Sequence, residues 1–271
     1  MLPWRLPLKI DPHEALGYNL SCQGLYELGV TEALWALTEP GDLAIDAGAN
    51  IGYMSSLLLR SVGQEGQVMA FEPHPAVYAE LIENSTRWTK DRFELGSLQA
   101  REAALGEKCE KSVLWSTDWF QTNRGTSSLL QKNPQAEPIS ITKVSLDSLA
   151  LPKPTIGMLK IDVEGAQLSV LQGAERLLGS KSIRDIVFEE MEHYPAASHR
   201  FLESKGYSIF FIRETFRGVR LLSPNKLADK ELSYELPNFL ATIEPERATQ
   251  RLDGRFWRSF GPLCRMRRSR L

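Results

Sequence analysis

Along this chain, short unbroken apolar runs alternate with stretches in which apolar residues recur every three to four positions. The runs read as buried strands: "DLAIDA" at 42–47, "GQVMAFEP" halted by Pro73, "TIGMLKIDVEG" and "RDIVFEEM". The periodic stretches read as helices. "GLYELGVTEALWALTEPGD" is closed by Pro40 and Gly41. "IGYMSSLLLRSVG" sets Ile51, Met54 and Leu58 on one face, and "AVYAELIENSTRW" and "QLSVLQGAERLLG" follow the same period. Residues 93–145 lack either period and predict short strands and loops around the polar stretch "NRGTSSLLQKNPQAEP". "YSIFFIRE", "RGVRLLS" and "NFLATIE" predict closing strands. Strands alternating with helices through short connections predict an α/β doubly wound, mostly parallel sheet, which binds ligands beyond the carboxyl ends of its strands.

Composition narrows the class. Hydrophobic residues at 42% and charged residues at 24% of 271 exclude a disordered or fibrous chain. No run reaches the ~18 apolar residues of a membrane helix, and the start carries no long apolar h-region, so a cytoplasmic, non-secreted protein is expected. Three widely spaced cysteines fit neither a disulfide framework nor a zinc site. The formal charge of −2 offers no general attraction to nucleic acid. It is unevenly spread: residues 251–271 hold seven arginines and one aspartate, leaving −8 on the rest. Expected units are therefore an N-terminal helical segment 1–40, a catalytic domain 41–245 and a basic, aromatic tail 246–271.

The turn after the first strand, "DAGANIGY", fails the nicotinamide fingerprint, because Asn50 and Tyr53 stand where glycines would be needed. It is instead an acid-x-Gly-x-x-x-Gly turn. Gly48 allows a sharp bend and close approach of backbone N–H groups to a ligand, Asn50 tolerates left-handed backbone, and Gly52 lets the next helix pack closely. Asp46 at the strand end can hold an ammonium group. Glu72, 24 positions after Gly48, can accept two ribose hydroxyls. A ribose holder and an ammonium holder without a pyrophosphate loop point to S-adenosyl-L-methionine. Tyr53 and Pro73 complete that donor set.

"LKIDVEG" spaces Lys160, Asp162 and Glu164 by two, which places them on one face at a strand end. Such a face on a buried strand indicates use. "IDAGANIGYMS", "FEPHP", "SSL" at 127–129, "VSLDSL" at 144–149, "LKIDVEGAQLSVLQGA" and "IVFEEMEHY" together resemble the FkbM family of methyltransferases, in order, over roughly residues 24 to 243. The resemblance implies a Rossmann-like class I methyltransferase fold with a mostly parallel seven-stranded sheet and helices on both faces. It also implies S-adenosylmethionine as donor and O-methylation of sugars, glycolipids or other secondary metabolites. The chain departs from the family at "REAAL", where "N-x-AL" is common, which moves the adenine contact to Glu102 or the backbone of Ala103.

Methyl transfer to an alcohol needs a collinear arrangement and a base. Asp162 ranks first as that base, with Lys160 pairing with the carboxylates or holding the acceptor oxygen. Glu164 and, after the next strand, Glu189, Glu190 and His193 follow. Tyr26, Glu27, Ser127, Ser128 and Glu190 are candidates for the acceptor. Magnesium among Asp162, Glu164, Glu190 and His193 is conceivable, but the spacing does not require it and no metal is expected. The alternatives are an N-methyltransferase or one acting on a macromolecule, and a non-catalytic donor-binding module. The tail, with Trp257, Phe256 and Phe260 among Arg255, Arg258, Arg265, Arg267, Arg268 and Arg270, predicts either peripheral contact with an anionic membrane or a terminus packed on the body.

Overall fold

The computed structural model describes residues 1–88, 94–115, 137–226, 237–254 and 257–259. Its main sheet runs β3 (Ser97–Arg101), β2 (Gln67–Phe71), β1 (Leu43–Ala47), β7 (Ile156–Ile161), β8 (Ile183–Glu189), β11 (Asn238–Thr242), β9 (Ser208–Thr215), β10 (Gly218–Leu222). Neighbours from β3 to β8 are parallel, whereas β11 is antiparallel to both β8 and β9. A second sheet holds β4 (Ala104–Leu105), β6 (Pro138–Val144) and β5 (Glu110–Trp115). The helices are α1 (Ala15–Gln23), α2 (Leu28–Leu37), α3 (Tyr53–Val62), α4 (Pro75–Trp88), α5 (Gln167–Gln172), α6 (Glu175–Gly179), α7 (Ala197–Ser204) and α8 (Pro245–Arg251).

The main sheet thus has eight strands where seven are expected. "RGVRLLS" folds back on β9 as an outer edge strand, its turn closed by Thr215 Oγ1 donating to the Gly218 carbonyl at 2.7 Å. The single helix expected over 167–179 is two, α5 and α6. At the break a Cβ on Gly173 would lie 2.0 Å from the Gly106 carbonyl oxygen, so the chain there runs against the second sheet. The helix expected from residue 24 begins at Leu28, because Gly24 caps α1 with φ 74° and Glu27 takes φ 42°.

Side-chain alternation divides the core. Leu43, Ile45 and Ala47 of β1 face the cluster that includes α5, α6 and α7, while Ala44 faces the cluster that includes α2, α3 and α4. Leu2, Trp4, Leu6, Leu16 and Leu20 belong to that second cluster, so residues 1–40 share the core of the sheet. Trp257 packs on it as well, and the buried Glu32 carboxylate accepts the amides of Arg258 and Ser259 at 2.7–2.8 Å. Arg255, Phe256, Phe260, Arg265, Arg267, Arg268 and Arg270 lie outside the described residues. No described helix is long and apolar enough to cross a membrane.

At the amino end of the strands, Arg184 joins Asp42 at 2.7 Å and Asp185 at 3.0 Å, and Arg247 joins Asp185, with Glu39 at 3.2 Å. Arg251 closes on Glu39, fixing α8 beneath the sheet.

Candidate active site

The strand order reverses between β1 and β7: β2 and β3 follow β1 to one side, and β8 follows β7 to the other. In open α/β sheets ligands bind at the carboxyl ends beside such a reversal. The glycine turn and "KIDVEG" both leave the sheet there. Register sets Asp46 beside Lys160 and Ile161 beside Phe188, so Asp162 emerges next to Glu189.

The turn is held by its own amides. Gly48 and Ala49 donate to the Phe71 carbonyl at 3.0 and 2.9 Å, and Asn50 donates to Glu72 Oε2 at 2.9 Å. Ile51 donates to Asn50 Oδ1 at 2.7 Å and Gly52 to the Ala49 carbonyl at 2.9 Å. The expectation that these N–H groups approach a ligand is therefore corrected: all five are taken within the protein. Gly48, Asn50 and Gly52 do adopt positive φ, at 79°, 49° and 95°. A Cβ on Gly48 would stand 1.8 Å from the Asp162 carbonyl oxygen, so this glycine lets the two strand ends touch. Gly52 lies against Leu81 and Trp88, so it admits α4 and not only α3.

Asp46 is fully buried, accepts from Ser55 Oγ at 2.6 Å and pairs with Lys160 Nζ at 3.2 Å. An ammonium-holding role does not fit a carboxylate so enclosed; it is the counter-ion of Lys160. Lys160 Nζ donates to the Gly48 carbonyl at 2.9 Å and forms ion pairs with Asp46 Oδ1 and Asp162 Oδ2, each at 3.2 Å. Burial works against its charge, but Asp162, Asp46 and Glu27 outweigh burial and raise its pKa above the usual lysine range. Lys160 is buried between the two carboxylates and orients Asp162.

Glu72 sits just beyond β2 and accepts His74 N–H as well as Asn50 N–H, each at 2.9 Å. Burial pushes its carboxyl up to about 7 against those two bonds and Lys160. Pro73 is half-buried beside it, Glu102 is exposed, and Ala103 is buried with its amide donated to the Arg101 carbonyl at 3.0 Å, which removes that amide from an adenine contact.

Glu164 does not continue the strand alternation: β7 ends at Ile161, and Glu164 takes φ 42° in the turn. Burial, then the Asp162 charge, pushes its carboxyl up to about 7. Glu189 is raised to about 8 by burial and then by Asp162, Glu27 and Glu164, with Lys160 opposing. Tyr26, which donates to Glu27, is raised beyond the usual phenol range, first by burial and then by Glu27 and Asp162. Tyr26, Glu27, Lys160, Asp162, Glu164 and Glu189 thus converge.

His193 and Glu190 do not join them. His193 is exposed. Glu190 is buried, accepts Glu192 N–H at 3.1 Å and takes a hydrogen bond from Ser198 of α7. Parity explains the choice: Val187 faces the α2–α3 side and Phe188 the other, so Glu189 follows Val187 and Glu190 follows Phe188. That parity is the signal in "IVFEEM" that selects Glu189. Tyr53 does not join the donor set either, because its hydroxyl bonds the Tyr26 amide at 3.1 Å. Ser127 and Ser128 lie outside the described residues. No metal-binding group of three or more His, Cys, Asp or Glu occurs among the described residues.

The model of the FkbM methyltransferase domain matches residues 46–215. Methyltransferase 1 of Beauveria bassiana is 27% identical over 188 residues, covering 61% of this chain and 72% of its own. A SAM-dependent O-methyltransferase of Thermotoga maritima aligns over 83% of this chain and 69% of its own, at 14% identity and a TM-score of 0.44. A methyltransferase FkbM of Methylobacillus flagellatus KT aligns over 83% and 59%, at 15% identity and a TM-score of 0.44. With its mostly parallel α/β sheet and S-adenosylmethionine as methyl donor, this chain belongs to the FkbM methyltransferase family.

Proposed function

We propose that the chain methylates a hydroxyl group of a sugar, glycolipid or other secondary metabolite. One observation carries this reading: Asp162, fixed by Lys160, stands among the carboxyl groups of Glu164 and Glu189 at adjoining strand ends and of Glu27 at the start of α2. Alcohols donate hydrogen bonds to carboxylates and must lose a proton as they attack. Asp162 is the base in this reading. Glu164 and Glu189, raised to about 7 and 8, can exchange protons with solvent near neutral pH. Tyr26 and Glu27 line the acceptor side.

The residues present fit S-adenosylmethionine. Each oxygen of Glu72 accepts one amide and keeps a lone pair, which suits two neighbouring ribose hydroxyls. An excess of carboxyl groups at the strand ends suits a cationic sulfonium. When bound, the donor supplies an electrophilic methyl carbon on sulfur. The arginine-rich residues 251–271 suit an acceptor carried on an anionic lipid surface, which is why glycolipids belong to the proposed class.

The test is incubation of the full chain with methyl-labelled donor and a panel of sugars, glycolipids, polyketide aglycones, amines and proteins. Label is expected in a methyl ether, located by tandem mass spectrometry. Label confined to nitrogen or to protein would overturn the assignment to oxygen.

A further inference from the structure

Tyr53 opens α3 directly after the glycine turn, yet the residue is only 2% exposed and belongs to the apolar cluster that includes Trp4 and Met54. It packs edge-on against Trp4 at 5.3 Å and Tyr26 at 6.2 Å between ring centroids. Its hydroxyl lies 3.1 Å from the Tyr26 nitrogen and 3.1 Å from Thr31 Oγ1. Thr31 Oγ1 also reaches the Tyr26 carbonyl at 2.7 Å, a far better acceptor than Met54 Sδ at 3.9 Å.

The protons can then be assigned. The Thr31 hydrogen goes to the Tyr26 carbonyl, so the Tyr53 hydrogen goes to Thr31 Oγ1, and a lone pair of Tyr53 receives the Tyr26 N–H. Both main-chain polar groups of Tyr26 are thereby clamped by two side chains. Burial, the largest cause, pushes the Tyr53 phenol up to about 12, which keeps that proton in place. The next residue, Glu27, takes φ 42°, a left-handed conformation that a non-glycine residue holds only when its surroundings impose it. Its carboxylate does not cap α2; the Tyr26 hydroxyl donates to it instead. Trp4 locks the far side, its indole N–H donating to Ser56 Oγ at 2.9 Å, and Ser56 donating to the Tyr53 carbonyl at 2.7 Å.

We propose that Tyr53 is a positioning residue: its hydroxyl, with Thr31, holds the Tyr26–Glu27 corner over the strand ends so that this corner can orient the acceptor. The role rests on the acceptor-side reading above. It also ties that corner to the donor turn, since Tyr53 follows the turn without an intervening residue.

The experiment is fluorine NMR of the full chain labelled with 3-fluorotyrosine at its seven tyrosines, with the Tyr26 signal assigned by Tyr26→Phe. S-Adenosylhomocysteine binding is measured in parallel by calorimetry. In Tyr53→Phe the Tyr26 signal is expected to move toward free 3-fluorotyrosine, while S-adenosylhomocysteine affinity stays within threefold. Thr31→Val should act in the same direction and Thr31→Ser should restore the wild-type signal, a rescue that general loss of packing would not give. With any acceptor turned over in the panel, kcat/KM for that acceptor should fall at least tenfold while KM for the donor holds. An unmoved Tyr26 signal in Tyr53→Phe overturns the proposal. So does a tenfold loss of S-adenosylhomocysteine affinity, which would return Tyr53 to the donor site. If Tyr53→Phe does not fold, the Thr31→Val and Thr31→Ser pair decides by the same signal. Failure of wild type to bind S-adenosylhomocysteine would count against the donor reading and leave the fluorine comparison intact.

Discussion

At the amino end of the central sheet, Glu39, Asp42 and Asp185 meet Arg184, Arg247 and Arg251, three acids to three bases, with the exposed Glu244 also on Arg247 at the rim. At the carboxyl end, Lys160 faces Asp46, Asp162, Glu27, Glu72 and Glu189, and Glu164 adds a further carboxyl beside Asp162. Both ends bury charge, but only one balances it. Matched charges with shared hydrogen bonds fix α8 and the strand starts in place. Among the acids at the other end, burial and neighbouring carboxylates push Glu164 and Glu189 up to about 7 and 8, which primes them to respond to a cation or to hydrogen-bond donors. The first end is a lock and the second a site.

Three variants break or sharpen that contrast. The largest effect is expected at the balanced end. Arg184→Met leaves Asp42 and Asp185 without their shared partner, and removing one member of a buried pair costs about 3 kcal/mol or more. Thermal unfolding should therefore shift down by roughly 6 °C or more, with S-adenosylhomocysteine affinity in the surviving folded protein unchanged. A melting point equal to wild type would mean the network does not lock this end.

Asp162→Asn keeps the shape of the side chain beside Lys160 and removes its charge. Turnover should drop by ~10², the range for a lost general base, while donor affinity stays within a few fold. Turnover within threefold of wild type would move the base to another carboxylate, and Glu189 would be the next to test.

The smallest effect concerns pH. Glu72, Glu164 and Glu189 are raised to about 7, 7 and 8 in the fold, against an ordinary value of 4.5. Between pH 4.5 and 8 the folded state thus binds more protons than the unfolded chain, so these groups make stability fall as pH rises through that window. In Glu189→Gln one such group is gone. The drop in melting temperature from pH 5 to pH 9 should shrink by about 2 °C or more. An unchanged slope would show that Glu189 titrates like an exposed glutamate.

Much of the donor side was legible because its signals are local. Positive φ at Gly48, Asn50 and Gly52 follows from residue type, and Glu72 follows from strand length. The acceptor side was legible in part. Lys160 and Asp162 share a face, but Glu164 leaves it, because the turn after Ile161 ends the alternation. Glu190 was favoured over Glu189 since adjacent glutamates differ only in which face they take, and the neighbours on β7 and β11 fix that parity.

By itself the sequence determined the alternation of strands and helices, the site at the strand ends and the family, since apolar period, glycine placement and motif order are properties of short segments. Tertiary structure alone decided what each charged group does. It enclosed Asp46 and Lys160 as a buried ion pair beside Asp162. It used the turn amides internally and turned Tyr53 toward Tyr26. It also set three arginines against three acids at one end of the sheet and a single lysine against five at the other. Those outcomes depend on burial and on partners distant in the chain, such as Arg247 for Glu39, 208 residues apart, and no local pattern encodes them.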